Sequence, residues 1–555
     1  MSIGSRFLEH VWHLPAPNTR DVVEHHDIRV SMSDGVELLT DRYYPRGGEH
    51  LPVILIRSPY GRGHQFRDLA VILAERGFQV LIQSCRGTGG SGGLLCPSFQ
   101  EEQDGAGTID WLSRQLWYCG RLALLGTSYL GNAAWAAVHA AGPRIAAMAL
   151  HATLSDARAE TYAFEGFTLE GCLAWTLQLT RPQPPGAVHV FIRARLPHER
   201  DSPPRLPAFD ALPLRDADRS AAGRQVSWWQ DWVNHAEPDD PFWEPLNFAA
   251  SVATTPPTAM IGGWHDIFLP WQIKDYAAMQ AARRTASLTI GPWVHSAVEA
   301  WGEGVRQALP LFRAQLLDVP APPRAPVRLY VMGAEEWREY GSWPPPGPGP
   351  EAFYLSAGGR LSTRQPGPSE PGCYAYDPAD PTPAVHGPRL GGVRPTGDMA
   401  QLEGRSDVLL YTAEPLAASL EVIGPVSAEL FFRSSLEHTD FFLVLCDVSP
   451  NGRCTNVCDG YIRVRPHRPT AWNDGTRHVH IEFWPTAYRY RQGHRIRVIV
   501  ASGAHPRYAR NLGSGEPLAD AVTCHVAHQQ ILHDPHHPSR ILLPIGAAGM
   551  IVDRQ

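Results

Sequence analysis

The chain carries two different rhythms of apolar residues. In its first part, short and nearly uninterrupted apolar runs, Val53 to Ile56, Phe78 to Ile82 and Leu122 to Leu125, are separated by longer mixed segments. Such runs suit strands covered on both faces. The segment around Asp68 to Arg76 reads as a helix between the first two runs, and the small residues Asn132-Ala133-Ala134-Trp135-Ala136-Ala137 read as another after the third. Strand and helix in alternation predict an α/β fold with a parallel sheet. Ahead of it, His26 to Met32 and Val36 to Leu38 alternate apolar and polar about a Ser33-Asp34-Gly35 turn, which predicts a strand pair at the sheet edge. From about residue 325, beginning with Val327-Arg328-Leu329-Tyr330-Val331, the rhythm becomes short alternating runs cut by glycine and proline, without a helix period of any length. A β-sandwich is expected there.

Between these parts, after a strand around Ile145 to His151, the pattern turns aromatic and helical, then proline-rich between Arg181 and Pro213. A length of 555 residues with 43% hydrophobic composition suits a multidomain protein with substantial cores. A formal net charge of -7, with the arginines scattered among acids, argues against nucleic-acid binding. Lys274 is the sole lysine. The segment Met1 to His10 lacks the apolar core of a signal peptide and no run is long enough to span a bilayer, so a cytoplasmic, non-membrane protein is expected.

Nine cysteines in so long a chain do not make a disulfide scaffold, and Cys446, Cys454 and Cys458 lack C-x-x-C spacing. The histidines at 525, 528, 533, 536 and 537 fall among prolines that are unsuited to a rigid ligand array. No metal and no organic cofactor is expected.

The chemistry gathers at three apolar strand ends. Gly126-Thr127-Ser128-Tyr129-Leu130-Gly131 follows the third run and opens a helix, the arrangement of a nucleophile elbow that lifts a serine hydroxyl clear of a sheet. Leu130 stands where the simple G-x-S-x-G pattern has glycine, and Gly131 comes one residue later. A serine needs a base to take its proton and a third group to orient that base. The strand Thr258 to Gly263 leads into Trp264-His265-Asp266, and the strand Ser287 to Ile290 leads into Gly291-Pro292-Trp293-Val294-His295. The order Ser128, Asp266, His295 is that of α/β-hydrolases. By contrast, the glycine-rich loop Gln83 to Gly93 lacks both the Lys-Ser/Thr of a P-loop and a downstream ribose carboxylate, so no phosphate site is expected.

These segments together resemble the cocaine-esterase-like and X-Pro dipeptidyl-peptidase-like serine hydrolases over nearly the whole chain. The family's elbow is G-x-S-Y-x-G, its acid lies in G-W-x-D and its base in G-P-W-x-H, matched by Gly126 to Gly131, Gly263 to Asp266 and Gly291 to His295. The resemblance implies a triad of Ser128, Asp266 and His295. It also implies oxyanion donors in the Tyr60 hydroxyl of Arg57-Ser58-Pro59-Tyr60-Gly61 and the backbone N–H of Tyr129, with Trp175 and Phe268 as acyl-pocket walls. Phe164, Phe167, Trp228, Trp229 and Trp232 are expected mainly to pack. The family's D-x-R-G segment has Ser84 in place of aspartate, two residues before Arg86.

The implied architecture is an α/β-hydrolase domain over 1–151 and 251–320, a helical cap over 152–250 and a carboxyl-terminal jelly-roll β-sandwich over 325–555. Ser406 to Leu416, Thr439-Asp440-Phe441, Asp447-Val448, Asp459-Gly460 and Pro506 to Gly513 carry the jelly-roll part of the resemblance. The implied activity is hydrolysis of a small ester, amide or short peptide through an acyl-enzyme on Ser128. An acylase or acyltransferase, or an aminoacyl or X-Pro dipeptidyl peptidase, is the alternative, a non-catalytic binding protein ranks last, and a homodimer is left open. An amino-group anchor would call on Glu160, Glu165, Glu170, Asp231 or Glu237.

Overall fold

The computed structural model describes residues 3–180, 206–390, 394–466, 470–471, 474–546 and 550–552. In its described parts the chain forms two compact units, one of 3–160 and 239–327, the other of 161–180, 206–238 and the residues from 328 onward. The proline-rich stretch read from the sequence falls largely outside the described residues.

The first unit is built on the strands β1 (Val22–Ser31), β2 (Glu37–Pro45), β3 (Val53–Ser58), β4 (Gln79–Ser84), β5 (Leu122–Thr127), β6 (Ala147–His151), β7 (Thr258–His265) and β8 (Ala286–Val294). They lie side by side in the order β1-β2-β4-β3-β5-β6-β7-β8. The β1/β2 and β2/β4 pairs are antiparallel and the rest parallel, so the apolar runs form the parallel part and the alternating pair forms the edge. The helices are α1 (Ile3–Val11), α2 (His64–Ala74), α3 (Glu101–Ser113), α4 (Tyr129–Ala141), α5 (Leu269–Ala281) and α6 (Val298–Leu317).

Period-two alternation sends Ile54, Ile56, Val80 and Ile82 into a core with Leu8 and Trp12 from around α1, Leu69 and Ile72 from α2, and Val305 and Phe312 from α6. Parallel strands place their carboxyl-terminal ends together, so the segments after β3, β5, β7 and β8, which carry Tyr60, Ser128, Asp266 and His295, emerge at one edge of the sheet. This is the α/β-hydrolase fold.

The second unit is β-rich. Its main sheet is largely antiparallel, with a long pair, Thr439–Val448 against Cys454–Val464, at one end of the strand order. The helical segments Leu169–Thr180 and Ser227–Asn234 belong to the same unit. There, Trp175 packs against Trp228 and Trp232 with ring centroids 6.3 and 5.9 Å apart, and Phe167 meets Trp229 edge-on at 5.5 Å. The late histidine segment is a turn in which Asp534 accepts the backbone N–H groups of His536 and His537 at 2.8 and 3.1 Å. Among the described residues, no helix is long and apolar enough to cross a membrane.

Candidate active site

Ser128 occupies the single residue between β5 and α4, with φ 56 and ψ -128. A residue bearing a side chain pays of order 1–3 kcal/mol for such a conformation, so its surroundings must hold it. They do so from both sides of the peptide. The Ser128 N–H donates to the carbonyls of His151 and Ala152 at 3.0 and 3.2 Å, and the Ser128 carbonyl accepts from the N–H groups of Gly131 and Asn132 and from the Thr153 hydroxyl, the last at 2.9 Å.

The glycine spacing has a steric cause. A Cβ on Gly126 would lie 2.4 Å from the Leu130 carbonyl oxygen and 2.6 Å from the Gly131 Cα, and one on Gly131 would lie 2.5 Å from the Thr153 side chain. The position at which a side chain is excluded is therefore 131, not 130. Leu130 is instead free to bury its side chain, with 4% exposure, in the core.

The downstream partners converge on this serine. His295, just after β8, has Nε2 2.9 Å from Ser128 Oγ and Nδ1 2.9 Å from Asp266 Oδ2. The other carboxylate oxygen of Asp266 accepts the Phe268 N–H at 2.8 Å, and the Asp266 N–H donates to the Gly263 carbonyl. Asp266 is thus fixed by two directional contacts before it orients the imidazole. Ser128 is partly exposed, whereas Asp266 and His295 are buried.

Burial works against charge on His295, but the attraction and hydrogen bond of Asp266, with a smaller contribution from Glu160, lift its pKa above the ordinary 6.5. Glu160 itself is pushed up to about 7 by desolvation, partly offset by His295. His151, whose carbonyl helps hold Ser128, is pushed down to about 4 by burial and remains neutral near pH 7. A basic imidazole aimed at a partly exposed hydroxyl can remove its proton during attack on a carbonyl.

Of the other residues singled out from sequence, Phe268 lies edge-on to the His295 ring, centroids 5.0 Å apart, and packs with Leu154 and Ala159. Tyr60 follows β3, is partly buried against the main core, and donates its N–H to the Ser58 hydroxyl. Tyr129 is the first residue of α4, which sets the positive end of the helix beside the serine. Trp175 lies in the second unit within its tryptophan cluster. Four of the five carboxylates considered as an amino-group anchor have a charged or titratable neighbour. Glu170 pairs with Arg389 at 3.0 Å, Glu237 and, at 3.9 Å, Glu165 approach Arg465, and Glu160 is the one whose field acts on His295.

Ser84 leaves no charge stranded. Arg86 holds Asp34 and Asp104 at 2.6 Å each, and the Ser84 hydroxyl accepts from Arg62 at 2.6 Å.

What sequence reasoning missed is the polar layer beneath the elbow. The Tyr129 hydroxyl donates to Glu101 at 3.0 Å and accepts the Ser98 N–H at 2.8 Å, while Glu101 is paired with Arg57 at 2.8 Å. The only sequence signal was the acidic first turn of α3, which by itself indicates no more than a favourable interaction with the helix dipole.

Comparison with known proteins matches both parts of the chain. Residues 34–297 match the model of the X-Pro dipeptidyl-peptidase (S15 family), and residues 322–542 match that of the X-Pro dipeptidyl-peptidase C-terminal non-catalytic domain. The chain is 31% identical to the cocaine esterase of Rhodococcus sp. (strain MB1 Bresler), covering 94% of this chain and 98% of that one. It is 26% identical to a Mycobacterium bovis protein named as a serine esterase, over 93% of this chain and 94% of the other. Among solved structures, an α-amino acid ester hydrolase superposes with TM-score 0.79 at 24% identity, covering 96% of this chain and 98% of that one. An aminopeptidase from a marine sediment archaeon (Thaumarchaeota archaeon) superposes with TM-score 0.78 at 22% identity, covering 96% and 97%. These two likenesses establish the fold.

Proposed function

The chain belongs to the cocaine-esterase-like and X-Pro dipeptidyl-peptidase-like serine hydrolases, and we propose that within that family it is an esterase or amidase for small acyl substrates, working through an acyl-enzyme on Ser128. That it is a hydrolase of carboxylic ester or amide bonds follows from the family. The assignment to Ser128 is carried by one observation, the continuous hydrogen-bonded line from Asp266 through His295 to Ser128.

The chemistry follows from that line. Asp266 accepts the Nδ1 proton, which selects the tautomer whose Nε2 lone pair faces Ser128 Oγ. As Oγ attacks the substrate carbonyl, Nε2 takes its proton, and the imidazolium formed is stabilised by Asp266. Negative charge then gathers on the carbonyl oxygen, where the Tyr60 hydroxyl and the Tyr129 N–H serve as donors. Collapse of the tetrahedral state expels the alcohol or amine, which takes the proton back from Nε2. A water molecule deprotonated by the same nitrogen repeats the sequence, releases the acid and restores the serine.

Phe268, edge-on to the His295 ring, supports a share in the acyl-pocket wall. An aminoacyl preference is the second reading, favoured by the Glu160 carboxyl whose field acts on His295. The test is a time course on p-nitrophenyl acyl esters of increasing chain length beside aminoacyl and prolyl p-nitroanilides, with wild type and Ser128→Ala. Ester turnover that vanishes in the variant supports the first reading. Preference for aminoacyl compounds, lost in Glu160→Gln, supports the second. Turnover that survives in Ser128→Ala overturns both.

A further inference from the structure

Tyr129 bears two functions on one residue. Its backbone N–H is the proposed oxyanion donor, and its side chain is buried in the polar layer below the elbow. The peptide that carries the N–H joins Tyr129 to Ser128, whose φ of 56 is unfavourable for a residue with a side chain. Rotation of that peptide changes the Ser128 ψ of -128 and carries the residue toward the less strained left-handed region, and it would turn the N–H away from the oxyanion. Something must therefore hold Tyr129 besides the helix it begins.

The hold is a chain of buried polar contacts. The Tyr129 hydroxyl donates to Glu101 Oε1 at 3.0 Å and accepts the Ser98 N–H at 2.8 Å. Glu101 Oε2 pairs with Arg57 Nη1 at 2.8 Å, with side-chain exposures of 4% and 3%. Arg57 in turn donates from Nη1 to the Glu101 carbonyl at 2.8 Å and from Nε to Gln83 at 2.9 Å. Gln83 also accepts from Thr108, and its amide donates to Thr40. Burial raises the Tyr129 pKa well above its ordinary value, and the Glu101 charge adds to this, so the hydroxyl keeps its proton and donates. Arg57 lies three residues before Tyr60 on the same strand end, so one cation tethers the segments that bear both proposed oxyanion donors.

We propose that Glu101, held by Arg57, is a positioning residue that aims the Tyr129 N–H at the developing oxyanion, through the Tyr129 hydroxyl. This rests on the Ser128 hydrolase reading and assigns a purpose to the side chain of the tyrosine that the G-x-S-Y-x-G elbow specifies. The tyrosine hydroxyl touches no substrate atom; it acts through the peptide at the other end of its own residue.

The test compares Tyr129→Phe, Glu101→Gln and wild type on a p-nitrophenyl ester. kcat and KM, the affinity for a boronic acid that mimics the tetrahedral state, and thermal unfolding would be measured together. Tyr129→Phe leaves the Arg57 and Glu101 pair intact, so it tests the tether in a protein that keeps its buried charges matched. The expected result is a fall in kcat of about tenfold or more, up to the roughly 10²-fold expected for loss of a whole donor, with KM changed by less than about twofold. The boronic acid should lose affinity in parallel. Glu101→Gln, which retains an acceptor for the hydroxyl, should lose less than Tyr129→Phe. A folded Tyr129→Phe enzyme with wild-type kcat and wild-type boronic acid affinity overturns the proposal. Ser128→Ala in the same assay separates the two ideas: if turnover survives there, the hydrolase reading itself has failed, whereas Ser128-dependent turnover that ignores Tyr129→Phe removes the positioning role alone.

Discussion

Each unit of this protein buries an arginine, a carboxylate and a tyrosine in one cluster, and the two clusters are wired differently. In the second unit, Asp440 accepts from Arg463 at 2.9 and 3.1 Å, from Asn511 at 2.7 Å and from the Tyr461 hydroxyl. Arg463 is the register partner of Asp440 across one antiparallel strand pair, and Tyr461 stands two residues before Arg463. In the first unit, Arg57 ends a strand, Glu101 begins a helix and Tyr129 begins another. Both tyrosines have pKa values raised by burial, and both arginines stay cationic because their carboxylates outweigh desolvation. Identical groups thus do different work. Within a strand pair they sit at one register position, and across three elements they hold the residue whose N–H is the proposed oxyanion donor.

That contrast can be broken most severely at Ser128. Ser128→Ala should lower ester turnover by roughly 10⁴- to 10⁶-fold without altering the unfolding curve, which would place the chemistry in the first unit alone. Asp440→Asn comes next: removing one partner of a buried pair costs about 3–5 kcal/mol. Denaturant unfolding should show that loss, while the kcat of the folded enzyme changes by less than about twofold. A large kcat effect would mean that the second cluster also serves catalysis. Tyr60→Phe should cost roughly 10²- to 10³-fold in kcat with stability retained, and an unchanged rate would remove Tyr60 from the oxyanion site.

The smallest effect concerns pH. The proposed mechanism needs neutral His295, whose pKa is raised from 6.5, so kcat/KM should rise through an acid limb centred above that value. Glu160→Gln removes a charge that favours the imidazolium, and its limb should move to lower pH. The linkage has a definite sign: because folding raises this pKa, the stabilisation it brings is present below pH 6.5 and is lost as pH rises through the folded value. Unfolding midpoints of wild type and His295→Ala across that window would show it.

Much of this was legible in the sequence, for reasons that differ from residue to residue. Parallel strands print as apolar runs, so the α/β fold could be read directly, and three of those runs lead into Ser128, Asp266 and His295, which the structure brings into one hydrogen-bonded line. The displaced glycine looked like a defect in the short elbow pattern, and the contact of Gly126 with Gly131 explains it. The partners of Arg86 are not legible from the neighbouring position 84, because its acids, Asp34 and Asp104, come from a distant turn and a helix. The Arg57, Glu101 and Tyr129 cluster was invisible for the same reason. Its members are 44 and 28 positions apart, and polar contacts between distant elements leave no period to read. Phe268 was found beside the acid, but its place against the His295 ring depends on how the ends of β7 and β8 approach one another.

The backbone contact between Gly126 and Gly131 also bears on how the enzyme can change. Variation introduced by recombination or saturation mutagenesis at the elbow meets two immovable sites, five positions apart, with the serine between them. Leu130, one step before the second, points into the core and contributes volume that can be exchanged for other apolar side chains. A library aimed at new substrates should therefore hold 126 and 131 constant and spend its diversity on proposed wall positions such as Phe268, which lies outside the Gly126 to Gly131 turn.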